Sequence, residues 1–222
     1  MSKGKNLVYR YSLFLIGLFI TSLGVAFSTI AGLGTSPVSS VPYSVSIVSD
    51  VLSFGGWLNL FSLIQITIQV ILLRRNCKPV EIAIQTVLAF LYGYMTNFSC
   101  FLISGIQVTN YMQQVFYMIL SCFIVAFGIW VQLKGNVAML PGEAMNRAIA
   151  SVSHKKYENI KIILDVVYIV VSVTISFVCT GQVRGVREGS VIAALSIGLI
   201  IKWYHHLEKR KMLSCKKSCT NN

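Results

Sequence analysis

Six stretches of this chain, residues 8–30, 57–73, 82–106, 111–133, 160–180 and 190–204, are apolar over close to the length that crosses a hydrocarbon core. A spanning helix needs about 20 predominantly apolar residues, somewhat fewer or more with tilt. Runs of that kind, repeated along one chain, restrict the fold sharply. Backbone that meets lipid must satisfy its own hydrogen bonds, which leaves helices or a closed barrel. Hydrophobic residues make up 55% of the 222 and charged residues 12%, too little polar surface to cover one soluble globule. The expected fold is an all-α polytopic membrane protein with six transmembrane helices, and the lipid bilayer is its first partner.

The formal charge of +12 would suggest nucleic acid in a soluble protein, but its placement assigns it to topology. Lys3, Lys5 and Arg10 precede the first run, and Arg74, Arg75 and Lys78 follow the second. Lys134, Arg147, Lys155, Lys156 and Lys161 lie between the fourth and fifth, and six more stand between Lys202 and Lys217. Only Arg184 and Arg187 fall on the opposite side, so seventeen of the nineteen basic residues share one side. By the positive-inside rule both termini are expected in the cytoplasm, with residues 207–222 as a basic tail. No nucleic-acid partner is expected, although anionic lipid head groups are attracted to such a surface.

The N-terminus has the basic start of a signal peptide, but its apolar run is too long and Ala26-Phe27-Ser28 is a poor cleavage site. It reads as an uncleaved first helix. Cys100, Cys122 and Cys179 lie in apolar runs, whereas Cys77, Cys215 and Cys219 face a reducing compartment, so no disulfide framework is expected. Cys215 and Cys219 with His205 and His206 read as a solvated tail, and no metal or other cofactor is expected.

The stretch AGLGTSPVSSVPYSVSIVSD, residues 31–50, interrupts the apolar pattern, and a second interruption answers it. With Gly24 set against Gly128, Phe19-Ile20 matches Phe123-Ile124, Pro37 matches Pro141 and Leu60 matches Leu164. One residue further out of register, Gln85, Ala89, Gly93 and Asn97 fall opposite Ser190, Ala194, Gly198 and Lys202. Each set recurs every four residues and forms one helix face, where small residues allow close helix approach. Residues 1–106 and 107–206 therefore read as two repeats. Each would hold three spans, with a short helix at 36–52 and 140–153 respectively. Three is odd, so the second repeat inserts with the opposite orientation, which is the three-plus-three inverted-repeat plan of many secondary transporters. Pro37 and Pro141 stand where each short helix would start, because a missing N–H costs least there. The short helices are either re-entrant, with their N-termini facing a central site, or amphipathic and flat on the interfaces.

Ionisable residues at membrane depth are costly and define the candidate substrate or proton site. Glu143 and Arg147 form an i,i+4 pair in the favourable order. Lys161 and Asp165 begin the fifth span, and Arg187 and Glu188 open the sixth as a candidate outer gate. Lys161 offers Asp165 only the less favourable helical order, so Arg187 and Arg147 are its expected partners. Gln65 and Gln69, with Asn59 and Ser62, give the second span a neutral polar stripe. The same charges could instead lock the two halves together, because buried charges survive by pairing. No Walker loop, GxGxxG, HExxH or CxxC occurs, and no catalytic residue or enzyme activity is expected.

Four segments resemble the YczE/YyaS/YitT group of bacterial integral membrane proteins, the YczE-like branch in particular. They are LGTSPVSSVPYSVS at 33–46, LPGEA at 140–144, KIILDV at 161–166 and GVREGSVIAALSIG at 185–198. Ser190 stands where that pattern has threonine, and Leu199 where a proline follows the glycine. The resemblance implies a multi-pass protein of the bacterial cytoplasmic membrane with a transport role, and it supplies no substrate. The expected function is secondary transport of a small polar or amphiphilic solute, with Glu143 and Asp165 carrying proton coupling or substrate charge. One alternative is a substrate-binding membrane component that needs an ATPase partner; such components carry a small-residue docking stripe such as AxxxA in the first helix, which Gly17, Thr21, Gly24 and Ser28 resemble only loosely. Another is a membrane scaffold or regulator without transport. A homo-oligomer is left open.

Overall fold

Proline opens three helices among the described residues: Pro37 in α2 (Pro37–Val48), Pro79 in α4 (Pro79–Ile103) and Pro141 in α6 (Pro141–Ser153). At a first helical position proline gives up only an N–H that has no intrahelical partner, and its ring presets the helical φ. The other helices are α1 (Lys3–Ala31), α3 (Phe54–Leu73), α5 (Tyr111–Gly135) and α7 (Tyr157–Thr180). The computed structural model describes residues 3–74, 78–135, 137 and 139–181, and, from 189 to 207, residues 189, 190, 193, 196–201, 203, 204, 206 and 207. All the described residues of this last stretch are helical.

Five helices are long and apolar enough to cross a membrane: α1, taken from Val8, then α3, α4, α5 and α7, taken from Asn159. The sixth expected span, 190–204, lies only partly within the described residues, so five spans stand among them. Burial is inverted relative to a soluble bundle. On α3, Asn59, Ser62, Gln65 and Gln69 are buried while Leu60, Ile64, Ile68 and Ile71 are exposed. On α7, Ser172 and Ser176 are fully buried while Ile162, Val166, Val170 and Phe177 face outward. Such a surface is stable only against lipid, which identifies a helical membrane protein. The short helices α2 and α6 have 12 and 13 residues, about 20 Å at 1.5 Å per residue, and are too short to cross.

The centre of the bundle is the α1–α5 contact. A Cβ added to Gly24 would lie 2.8 Å from Val125 N, and one added to Gly128 would lie 2.7 Å from Thr21 N. Backbone meets backbone there, the close approach that small residues permit. Gln132 Nε2 donates to Thr21 Oγ1 at 2.7 Å across the same seam, and Arg10 Nε donates to Gly135 O at 2.8 Å at its end. Together these contacts fix α1 and α5 as antiparallel neighbours.

The remaining helices pack crosswise. α2 lies against α7, where Ser172 Oγ donates to Ser40 O at 3.0 Å and also bonds Ser44 Oγ. α6 lies against α3. α3 also pairs with α4, where Asn97 Oδ1 accepts from Gly55 N at 2.8 Å and Asn59 lies against Gly93. Between α1 and α2 the chain turns through Gly32 and Gly34, at φ +66° and +107°, a backbone region that favours glycine. Leu33 O in this turn accepts from Gly189 N at 3.0 Å, which joins the turn to the last helical stretch.

Candidate functional site

The turn through Gly32 and Gly34 sets the start of α2 against the start of α6, and a cavity of about 260 Å³ opens beside them. Ser36, Pro37, Val38 and Ser39 line it from one helix start, and Leu140, Pro141, Gly142 and Glu143 from the other. A Cβ added to Gly142 would stand 3.3 Å from Val38 Cγ1 and 3.4 Å from Gln65 Nε2, so the two first turns nearly touch. Neither helix has a side-chain N-cap bond. The first N–H groups of a helix lack intrahelical partners, and its start carries a partial positive charge. The cavity therefore has two positive helix ends in its wall.

Further polar side chains enter from α6 itself and from three other helices. Ser62 and Gln65 come from α3, Gln132 from α5, Asn146 from α6, and Lys161 and Asp165 from α7. Gln65 is positioned by Tyr168, whose hydroxyl accepts from Gln65 Nε2 at 3.3 Å and whose ring packs edge-on against Phe61 at 5.6 Å. Asp165 Oδ2 lies 3.8 Å from Lys161 Nζ. Asp165 Oδ1 and Asn146 Oδ1 are buried and have no hydrogen-bond partner among the described residues. Asn146 is only 1% exposed, so its unmatched acceptor is shielded from bulk water. Thr21 and Tyr92 also line the cavity, and much of the remaining wall is apolar, with Val25, Leu58, Phe61, Val125 and Ile129.

Glu143, Lys161, Asp165, Gln65, Pro37 and Pro141 thus come together at one cavity. Gln69 does not: it is buried further along α3, with Oε1 unpartnered among the described residues. Arg187 and Glu188 lie outside the described residues, as do Cys77, His205, Cys215 and Cys219. One pairing expected from spacing is corrected. Glu143 and Arg147 form no ion pair; Arg147 is exposed and sits 5.8 Å from the Tyr157 ring, in a separate shallow recess with Ser151 and Lys155. Asp165 pairs within its own helix with Lys161, in the order spacing disfavours; of its expected partners Arg147 is exposed elsewhere and Arg187 lies outside the described residues. Orientation preferences of a few tenths of a kcal/mol on isolated helices are outweighed where, among the described residues, so few other charges line the wall.

Asn146, Gln132 and Thr21 were not singled out as site residues by the sequence. Asn146 stands three positions after Glu143 and so shares its helix face, the one signal that would have found it. Gln132 and Thr21 meet across different parts of the chain, and no local spacing marks them.

Residues 8–206 match a family described as a family of unknown function, DUF6198. No curated protein and no solved structure matches the chain. With most of its length matched, the chain belongs to the DUF6198 family.

Proposed function

We propose that the chain is a secondary transporter of a small amphiphilic solute, built as two inverted halves around this cavity. The observation that carries the reading is the meeting of two short-helix N-termini and a half-buried Lys161–Asp165 pair in one largely apolar cavity. Helix starts that end inside a bundle, beside charges, are how many transporters build a solute site near the bilayer midplane. Polar groups at this depth are tolerated only where they line such a space.

The exchange of partners supports the inverted repeat. In the alignment that sets Gly24 against Gly128, Thr21 corresponds to Val125, and the two glycines contact each other's counterpart neighbour: Gly24 meets Val125 and Gly128 meets Thr21. The α2–α7 and α6–α3 contacts are likewise counterparts. In this reading the helical stretch from 189 is the sixth span, both termini are cytoplasmic, and the membrane is the bacterial cytoplasmic one implied by the YczE-like motifs. The protein catalyses no covalent step.

The ATPase-dependent alternative loses its docking surface. α5 covers Gly17 and Gly24, and a Cβ at Gly17 would lie 2.8 Å from Gly128 O. A partner would have to dock elsewhere.

The test is flux. The purified chain in sealed liposomes should accumulate a solute that stabilises it in detergent, under an imposed proton or solute gradient and without ATP. Stabilising solutes that never cross the membrane faster than in protein-free liposomes would overturn transport.

A further inference from the structure

We propose that the cavity takes a small zwitterion with an apolar tail, the chemistry of an α-amino acid with an apolar side chain; the inference rests on the solute-site reading of this cavity. Its two helix starts are not electrically equal. Glu143 stands in the first turn of α6, where a carboxylate offsets the partial positive charge of that helix start. The first turn of α2 holds no acidic residue. The α2 start therefore keeps its positive end, with the Ser36 and Ser39 hydroxyls, 2.7 Å apart, beside it. A carboxylate is the group that suits such a place.

The unmatched atoms ask for the opposite charge. Asn146 Oδ1 and Asp165 Oδ1 are both acceptors, both buried, and both without a partner among the described residues. Lys161 engages only the other oxygen of Asp165. Buried acceptors are costly until a donor reaches them. An ammonium brings three N–H donors and a positive charge for Asp165 and Glu143. Much of the remaining wall, from Val25, Leu58, Phe61, Val125 and Ile129, is apolar and suits a hydrocarbon tail. At about 260 Å³ the space is below the roughly 300–1,000 Å³ of pockets for drug-sized ligands, which sets the solute at amino-acid size.

Binding to the purified full chain, read by thermal shift and equilibrium dialysis, tests this with three probes that share one tail. L-phenylalanine is the zwitterion, phenethylamine lacks the carboxylate, and 3-phenylpropionate lacks the ammonium; L-leucine checks a smaller tail. The zwitterions should bind at least about tenfold more tightly than either truncated probe, since each loses a charge-assisted contact. Asp165→Asn should lower L-phenylalanine affinity at least about tenfold and leave 3-phenylpropionate nearly unchanged. Equal binding of phenethylamine and L-phenylalanine would overturn the carboxylate site. Failure of both amino acids to bind would overturn the zwitterion altogether, and neither result depends on a variant folding. Zwitterion binding without flux would defeat transport while leaving this inference standing. Flux of another solute that amino acids neither bind against nor inhibit would do the reverse.

Discussion

Val38 and Gly142, each the second residue of its short helix, face one another in the wall of the cavity, and a Cβ on Gly142 would stand 3.3 Å from Val38 Cγ1. The alignment that pairs Gly24 with Gly128 also pairs these two positions. Counterparts of a two-fold repeat meet only on its axis, so the contact supports an axis running between α2 and α6. The α1–α5 seam, with its reciprocal glycine contacts, supports the same axis.

Filling the Val38–Gly142 gap should close the site without unfolding the protein. The atoms nearest an added Cβ at Gly142 are side-chain atoms of Val38 and Gln65, which can yield by a few tenths of an ångström. Gly142→Leu also gains roughly 0.5–1 kcal/mol of helix propensity, which offsets part of the crowding. The expected outcome is a melting temperature within a few degrees of wild type. Ligand stabilisation, about 2.7 kcal/mol at roughly 100 times Kd in wild type, should vanish. Thermal shift with and without ligand checks both, and a variant that still responds fully to ligand would place the site elsewhere.

The α1–α5 seam should tolerate substitution far less. An added methyl at Gly24 or Gly128 meets backbone nitrogen, at 2.8 Å and 2.7 Å respectively, and backbone cannot rotate away. Gly24→Ala and Gly128→Ala should each cost about 1–3 kcal/mol, the usual range for overpacking. The double variant should cost less than the sum, because both methyls push apart the same pair of helices. Gly105→Ala, with nothing within 4 Å of an added Cβ, is the control and should change stability by no more than about 0.5 kcal/mol. Unfolding in mixed micelles measures all four.

The sequence was most informative where a local rule decides the structure. Proline marks the starts of α2, α4 and α6, and apolar length marks six spans, five of which stand among the described residues. The Asn59–Ser62–Gln65–Gln69 stripe is the buried face of α3 because polar side chains have nowhere else to go in lipid. Partners across the chain were not legible. Asn97 bonding Gly55 N, and Gln132 bonding Thr21, depend on how helices cross, which composition does not encode. The Glu143–Arg147 pair failed for a related reason. Helical spacing permits it, but α6 turns Glu143 to the cavity while Arg147 is exposed beside Tyr157.

Orientation rests on the charge asymmetry, and two exposed positions test it. Thr109, between α4 and α5, belongs to the side expected to face outward, and Ser153, at the end of α6, to the cytoplasmic side. In a cysteine-free background, Thr109→Cys should react with an impermeant thiol reagent in intact cells. Ser153→Cys should react only after permeabilisation. The opposite pattern would invert the topology.

Asp165→Asn separates a working carboxylate from a structural one. Asp165 reaches Lys161 at 3.8 Å, longer than a good charge-assisted hydrogen bond of about 2.7–2.9 Å. The Lys161 side chain is 44% exposed against 19% for Asp165, so the lysine retains an outlet if its partner is neutralised. Breaking a fully buried pair costs about 3–5 kcal/mol, because it strands a charge. A pair this loose and this exposed on one side should cost much less, within about 1 kcal/mol. Asparagine is nearly isosteric and keeps an acceptor, so folding and membrane insertion should survive. The ligand loses its counter-charge, and stabilisation by an ammonium-bearing solute should fall at least about tenfold in apparent affinity. Lys161→Met is the complementary measurement: it removes the pairing but leaves the carboxylate, and should retain ligand binding. A large drop in the melting temperature of Asp165→Asn with the ligand response intact would assign Asp165 to the framework and leave the cavity without its cation site.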